Sequence, residues 1–356
     1  MKKHNYSAGP CILPQEVFEK SAQAILNFND SGLSLLEISH RSKDFVAVMD
    51  EARALALELL GLEGKGYSAL FLAGGASLEF LMVPYNLMKE GGKAAYLDTG
   101  TWAAGAIKEA KLFGETITVA SSKEQNYNHI PKGYTVPADA DYFHCTSNNT
   151  IFGTQMKEFP SVDMPVVCDM SSDIFSRALD FSKFDIIYAG AQKNMGPAGT
   201  TLVVIKEEIL GKNGRIIPSM LDYAKHIKAE SMYNTPPVFP VYASLLTLQW
   251  LKNLGGIAAI EKVNNAKAAL LYGEIDRNPL FKGAAAVEDR SNMNATFLLN
   301  DEAHAATFDA MWKAAGISGL PGHRSVGGYR ASMYNALPLE SVQVLVDVMQ
   351  ALEKAI

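Results

Sequence analysis

The chain has 356 residues, 48% hydrophobic and 20% charged, so it is long enough for one large or two medium domains around a sizeable core. A formal net charge of −6 argues against nucleic acid and anionic membrane as partners. The start, Met1 to Tyr6, has no secretory-type apolar stretch, and no segment reaches the roughly 18 apolar residues of a membrane span, so the cytoplasm is the expected location.

Along the chain, Ser42 can cap a helix running through Leu60, with Phe45, Met49, Ala52, Ala56, Leu59 and Leu60 on one face and Gly61 as its stop. From 67 to 205, apolar strands alternate with helical patterns. Strand 67–73, helix 77–88, strand 94–97 and helix 102–113 come first. Strands near 116–120, 142–145, 166–168, 186–189 and 201–205 follow. Such alternation predicts an α/β fold, a mainly parallel sheet covered by helices. Residues 242–254 read as an amphipathic helix ended by Gly255 and Gly256. The pattern then changes to helix 257–275, strand 295–299, helix 302–315, a short strand 329–333 in a Gly-rich segment, and a last helix 339–355. The expected division is a large domain at 15–255 and a smaller α+β domain at 256–356, joined by 1–14. No repeat, low-complexity tract or long linker interrupts it.

Chemistry concentrates on Lys193, a lone amine in the run Ala191-Gln-Lys-Asn-Met-Gly-Pro-Ala-Gly199, between two apolar segments that read as buried strands. A second strand ends in Asp169. An amine and a carboxylate at strand ends are what pyridoxal phosphate requires: the lysine binds the aldehyde, and the acid keeps the pyridine nitrogen protonated so the ring accepts electrons. A strand-end lysine is otherwise a solvated surface group, and Asp169 before Ser171 and Ser172 also suits a turn or N-cap. The pairing favours the chemical reading.

Four further features fit the same ligand, each with a plainer alternative. Gly74, Gly75, Ala76 and Ser77 lie between a strand and a helix, as either a tight turn or a phosphate site at a helix N-terminus. Trp102 follows a strand end, where an indole stacks on a ring or packs in the core. Thr150 suits a hydrogen bond to a ring substituent or a turn. Two His-Arg pairs, His40 with Arg41 and His323 with Arg324, are surface charge or anion grips. Cysteines at 11, 145 and 168 show neither metal-ligand nor disulfide spacing, and no metal is expected.

Together these runs resemble the phosphoserine aminotransferase family, class V aminotransferases among the fold-type I pyridoxal phosphate enzymes. The likeness runs essentially end to end. It includes Tyr6-Ser-Ala-Gly-Pro, Ile38-Ser-His-Arg-Ser-Lys, Thr101-Trp-Ala, the Lys193 run, Tyr233-Asn-Thr-Pro-Pro, and Gly322-His-Arg-Ser-Val-Gly-Gly-Tyr-Arg-Ala-Ser-Met-Tyr-Asn-Ala. The resemblance implies a large domain with a seven-stranded sheet and a smaller C-terminal domain. It implies ping-pong transamination between glutamate and 3-phosphohydroxypyruvate in serine biosynthesis, and a second reported reaction on 4-phosphohydroxythreonine in vitamin B6 synthesis. By the same likeness Lys193 holds the cofactor and moves the proton, Asp169 pairs with the ring nitrogen, Trp102 stacks, and Thr150 sits at the ring's hydroxyl edge. Ala76, Ser77 and Gln192 would bind the phosphate, completed by Asn234 and Thr235 of a second subunit, which implies a homodimer. Arg330, with Ser7, would take the substrate α-carboxylate, and His40, Arg41, His323 and Arg324 the distal anion.

One departure stands out. Some members carry Gly-Arg where this chain has Ala76 and Ser77, so that arginine's contact is missing and the His-Arg pairs are expected to carry more of the charge. Rival activities are another class V reaction, alanine–glyoxylate transamination or cysteine desulfuration, or a noncatalytic scaffold. Desulfuration needs a cysteine on a mobile exposed loop, whereas Cys145 and Cys168 lie in strand patterns and Cys11 beside Pro10.

Overall fold

The computed structural model describes residues 3–356; Met1 and Lys2, part of the 1–14 segment expected in the smaller domain, lie outside the described residues. Seven strands form the central sheet, in the spatial order Tyr67–Leu72, Thr201–Lys206, Ile186–Gly190, Val166–Asp169, Phe143–Thr146, Lys93–Asp98, Glu115–Ser121. Thr201–Lys206 runs antiparallel to both neighbours, and every other pair is parallel. The inner strands are buried on both faces, which is why they read as unbroken apolar runs. Parallel register sets Thr146 beside Asp169 and Asp169 beside Tyr188, so three strands end on one edge. Ligands bind at that edge of an open α/β sheet.

Helix Lys43–Leu60 starts where the sequence marks it: the Ser42 Oγ accepts the Phe45 N–H at 3.4 Å, and Gly61 closes the helix at φ 65°. Its buried stripe packs against helix Val238–Asn253. That second helix departs from expectation. It starts earlier than 242 and is buried on nearly all sides, because helices Gln15–Leu26, Lys43–Leu60 and Gly256–Arg277 all pack on it. Gln15–Leu26 itself carries no strong pattern in the sequence, since its buried stripe is only Val17, Ser21 and Ala24.

The second core lies under the antiparallel sheet of Phe281–Gly283, Asn294–Leu299 and Tyr329–Ser332, covered by helices Gly256–Arg277, Ala305–Ala314 and Leu339–Ala355. The N-terminal segment joins this core: His4–Asn5 pairs in parallel with Ile317–Ser318, and the buried Tyr6 hydroxyl donates to the Ser341 carbonyl at 2.6 Å. Helix Gly256–Arg277 spans both cores, with Ile257 and Ile260 in the larger and Leu271 and Ile275 in the smaller. Among the described residues no helix is long and apolar enough to cross a membrane.

Lys267 on this helix is fully buried, and its Nζ donates to the carbonyls of Met333 (3.0 Å), Tyr334 (2.9 Å) and Leu337 (3.1 Å). Burial pushes its pKa down to about 7, yet three acceptors call for the three N–H donors of an ammonium. The contact fixes the chain just after strand Tyr329–Ser332. Replacing Lys267 by Met strands three buried carbonyls and should destabilise the protein by about 3 kcal/mol, read as a lower denaturation midpoint. An unchanged midpoint would show that the carbonyls find other donors.

Candidate active site

Strand Ile186–Gly190 stops at Gly190, and Lys193 sits in the helical turn Ala191–Asn194, not at the strand end itself. The turn lifts its side chain over the sheet edge. Its Nζ donates to the Thr150 Oγ1 at 2.9 Å and lies 5.4 Å from the centre of the Trp102 ring. Burial holds its pKa below the usual lysine value; Asp169 opposes this and the Arg330 charge adds to it. An amine kept closer to neutrality is the nucleophilic form.

Asp169 ends its strand almost wholly buried. Its Oδ1 accepts the Ser171 N–H at 2.9 Å and the Ser171 hydroxyl at 2.6 Å. No protein donor reaches Oδ2 among the described residues. The turn reading of Asp169 and the chemical one therefore hold together: one oxygen builds the turn and the other is left to the cavity. Burial raises the pKa, while Lys193 and the Ser171 hydrogen bonds draw it back. Ser171 also accepts the Gly190 N–H at 3.2 Å, tying the acid to the strand that leads to Lys193. Sequence reasoning placed Ser171 in the turn after Asp169 but gave it no part in the site.

These groups line one cavity of about 440 Å³ with Ala76, Ser77, Trp102, Thr150, Gln192, His323 and Arg330. Gly74 at φ 110° and Gly75 at φ 68° turn the chain from strand Tyr67–Leu72 into helix Gly75–Leu87. The first-turn N–H groups at Ala76 and Ser77 have no partner within the helix, and the helix dipole favours an anion there. Trp102, at the start of helix Thr101–Ala110, is 37% exposed and so does not pack in the core. Arg330 arrives from strand Tyr329–Ser332; its Nη1 makes one long bond to the Thr150 carbonyl at 3.4 Å, and its buried Nε has no partner. Burial lowers the Arg330 pKa, and burial followed by the charges of Arg330 and Arg324 lowers that of His323.

Six of the proposed site residues do not line this cavity. His40 is half-buried, Arg41 and Arg324 are exposed, and Ser7 donates its N–H to the Asn5 Oδ1. Asn234 and Thr235 are exposed and line a separate, mostly apolar cavity of about 180 Å³ with Gly74 and Leu78. The N-terminal segment, in contrast, comes closer than its motif indicates. Ala8 and Gly9 line the main cavity, the Cys11 N–H donates to the Gln192 carbonyl at 3.1 Å, and the Cys11 thiol donates to the Lys193 carbonyl at 2.5 Å.

Pyridoxal phosphate can be tested against these atoms. It needs an amine for its aldehyde, an acid for its ring nitrogen, a flat face and donors for its phosphate. Lys193, the open Oδ2 of Asp169, the exposed Trp102 ring and the helix start at Ala76 and Ser77 meet those needs around a single cavity. The residues fit the group.

The Aminotransferase class-V family profile matches residues 4–345. The phosphoserine aminotransferase of Flavobacterium psychrophilum is 85% identical to this chain, over 100% of both. Among solved structures, the phosphoserine aminotransferase of Bacillus circulans subsp. alkalophilus superposes with a TM-score of 0.96 at 43% identity, covering 99% of each chain. A PLP-bound phosphoserine aminotransferase from Trichomonas vaginalis gives 0.93 at 36% identity, covering 98% of this chain and 100% of its own. With an amine, an acid and an anion-seeking helix start around one cavity, and with this likeness over its whole length, the chain belongs to the phosphoserine aminotransferase family of class V, fold-type I aminotransferases, whose cofactor is pyridoxal 5′-phosphate.

Proposed function

We propose that the enzyme transfers the amino group of glutamate to 3-phosphohydroxypyruvate by a ping-pong route, giving 2-oxoglutarate and O-phosphoserine for serine biosynthesis. The observation that carries this reading is Arg330, a half-buried guanidinium lining the cavity of Lys193 and Asp169, which has no carboxylate partner among the described residues and whose Nη1 makes only one long bond. An amino acid's carboxylate is the partner such a group lacks. The names of the relatives support the substrate pair. We include 4-phosphohydroxythreonine as a second substrate, for vitamin B6 synthesis.

When bound, pyridoxal phosphate supplies an electron sink for the charge left as a proton leaves the substrate Cα. Asp169 keeps the sink effective by holding its negative charge on the open Oδ2. Lys193, lowered in pKa, would take the proton from the substrate Cα and pass it to the carbon on the far side of the substrate nitrogen, with the Thr150 hydroxyl steadying Nζ between the two. Trp102 covers one face, and Ala76, Ser77 and Gln192 grip the phosphate. Arg330, aided by Ser7, orients the α-carboxylate, while His323 receives the distal anion. Arg324, His40 and Arg41 join it from segments that a single chain leaves largely exposed.

The same exposure supports a homodimer. Leu33 and Leu36 stand shortly before His40 and Arg41, Tyr233 stands beside Asn234, and all three are exposed apolar side chains alongside Trp102. A partner subunit would cover them and receive Asn234 and Thr235 into its phosphate site. We assign the large domain to 15–255, the smaller to 256–356 with 1–14, and the enzyme to the cytoplasm. Desulfuration is disfavoured: Cys145 and Cys168 are buried and face each other across adjacent strands at 3.7 Å, and burial pushes the Cys11 thiol up to about 12.

In a coupled assay, 3-phosphohydroxypyruvate should be consumed only when glutamate is present; turnover of glyoxylate or pyruvate alone would overturn the substrate assignment. Lys193→Ala should abolish the visible absorption of the covalently held cofactor and lower kcat by at least about 10³-fold. Ser171→Ala removes one of two hydrogen bonds that favour the ionised Asp169. The Asp169 pKa, already raised by burial, should climb further, so activity is lost at higher pH on the acid side of the kcat/KM profile. An unmoved acid limb would remove Ser171 from that role. Mixing inactive Lys193→Ala with inactive Asn234→Ala subunits should restore about one quarter of wild-type activity, since half the subunit pairs are mixed and each has one intact site. No recovery would rule out sharing of the site.

A further inference from the structure

Glu79 takes no part in the site described above, yet it is built into the helix that carries the phosphate end. It lies four positions beyond Gly75 in helix Gly75–Leu87 and is fully buried. Its Oε2 accepts a hydrogen bond from the Tyr223 hydroxyl at 2.5 Å, and its Oε1 has no partner among the described residues. Among the described residues nothing cationic faces the carboxyl; the influences on it are burial and Tyr223.

The elements packed against it carry several titratable groups, of which Lys225 and Lys228 of helix Tyr223–Lys228 are exposed. Helix Tyr223–Lys228 contributes Tyr223 and the buried His226, whose Nε2 bonds the Met220 carbonyl. Strand Ile186–Gly190 contributes Tyr188, bonded to the His144 Nε2 at 2.7 Å. Turn Ser219–Leu221 has no titratable group, Asp222 caps helix Tyr223–Lys228 through the Ala224 N–H, and the charges of helix Thr101–Ala110 are the exposed Lys108 and the half-buried Glu109. A lone carboxylate in such surroundings is costly, and burial pushes Glu79 up to about 7.

Tyr223 is also held to the same helix through its backbone, its N–H donating to the Asn86 Oδ1 at 3.1 Å. The chain runs on from Tyr223 to Ser231, whose Oγ accepts the Phe71 N–H at 3.0 Å, and then to Asn234 and Thr235. One buried contact thus joins the helix that opens on Ala76 and Ser77 to the segment reaching toward a second subunit.

The geometry points to Glu79 as a positioning residue that acts as a neutral acid, locking the phosphate-binding helix to the segment that carries Asn234 and Thr235. The inference rests on the phosphate-cup reading given above and adds a proton to it. Side chains of a helix lean toward its N-terminus, so an ionised Glu79 leans toward the anion held by the first turn. The coupling is reciprocal: a bound phosphate favours the protonated acid, and ionisation of the acid weakens the phosphate site. Tyr223 donates to the acid in either state, so what changes is the charge beside the phosphate site. The protonated form is filled below about pH 7 and emptied as the pH rises through it, and phosphate affinity falls between about pH 6 and pH 8.

The test compares wild type with Glu79→Gln, which keeps an oxygen for Tyr223 and cannot ionise. Equilibrium retention of pyridoxal phosphate is read from visible absorbance during dialysis near pH 6 and near pH 8.5. Wild type should lose about tenfold more affinity across that interval than the variant. An infrared difference spectrum at the lower pH should show a protonated-acid carbonyl stretch in wild type and none in Glu79→Gln. Equal pH dependence in the two proteins overturns the inference. If the variant does not fold, a wild-type spectrum without a buried acid band that fades as the pH is raised overturns it as well. Gln192→Ala and Asn234→Ala separate the two levels: if neither alters cofactor affinity the phosphate cup is wrong, whereas if both do and Glu79→Gln does not, only the Glu79 assignment falls.

Discussion

A carboxylate and an amine share one cavity at the edge of the sheet, and the protein around them exists to keep both in usable protonation states. Asp169 is almost fully buried, a setting that favours the neutral acid, while Lys193 is shifted the other way by the same burial. Each counteracts the other's shift. Ser171 adds two donors to one oxygen of the acid, and Thr150 accepts from the amine. The balance leaves an acid able to stay charged and an amine able to lose its proton, which transamination requires of them.

Delivery of these groups follows from strand direction. Parallel neighbours end on the same side, so Thr146, Asp169 and Gly190 emerge together and the loops after them carry Thr150, Ser171 and Lys193. The second core contributes from above through Arg330 and His323. A strap built from the N-terminus links the two: Tyr6 and His4–Asn5 belong to the smaller core, while Gly9 and Cys11 lie against the turn that holds Lys193. Ser332, two residues after Arg330, donates its N–H to the Tyr6 carbonyl at 3.3 Å. Strand Tyr329–Ser332 is therefore connected to the Lys193 turn through residues 6–11 and the hydrogen bonds at either end.

Much of this was legible in the chain. The alternation of apolar runs and helical stripes predicted the sheet, and the Ser42 and Gly61 boundaries of helix Lys43–Leu60 are local chemistry read one residue at a time. Pairing Lys193 with Asp169 needed only the recognition that both follow apolar strands. Other elements were hidden for physical reasons. Gln15–Leu26 buries a stripe too narrow and too small to register, and of Val238–Asn253, read from 242, the first turn with Pro240 was missed. Ser171, Cys11 and Glu79 are ordinary residue types whose significance comes entirely from what surrounds them.

Residue order alone determined the α/β class, the strand-borne acid, and the glycine turn that opens a helix, because each is a short-range pattern of shape and polarity. Only the folded chain decided which groups share a cavity, which oxygen of Asp169 stays open, that Trp102 is exposed, and that Arg330 is left with an unsatisfied Nε. Those outcomes depend on burial and on partners more than a hundred positions away in some cases. Local sequence carries no record of the dielectric or the neighbours that the fold will impose.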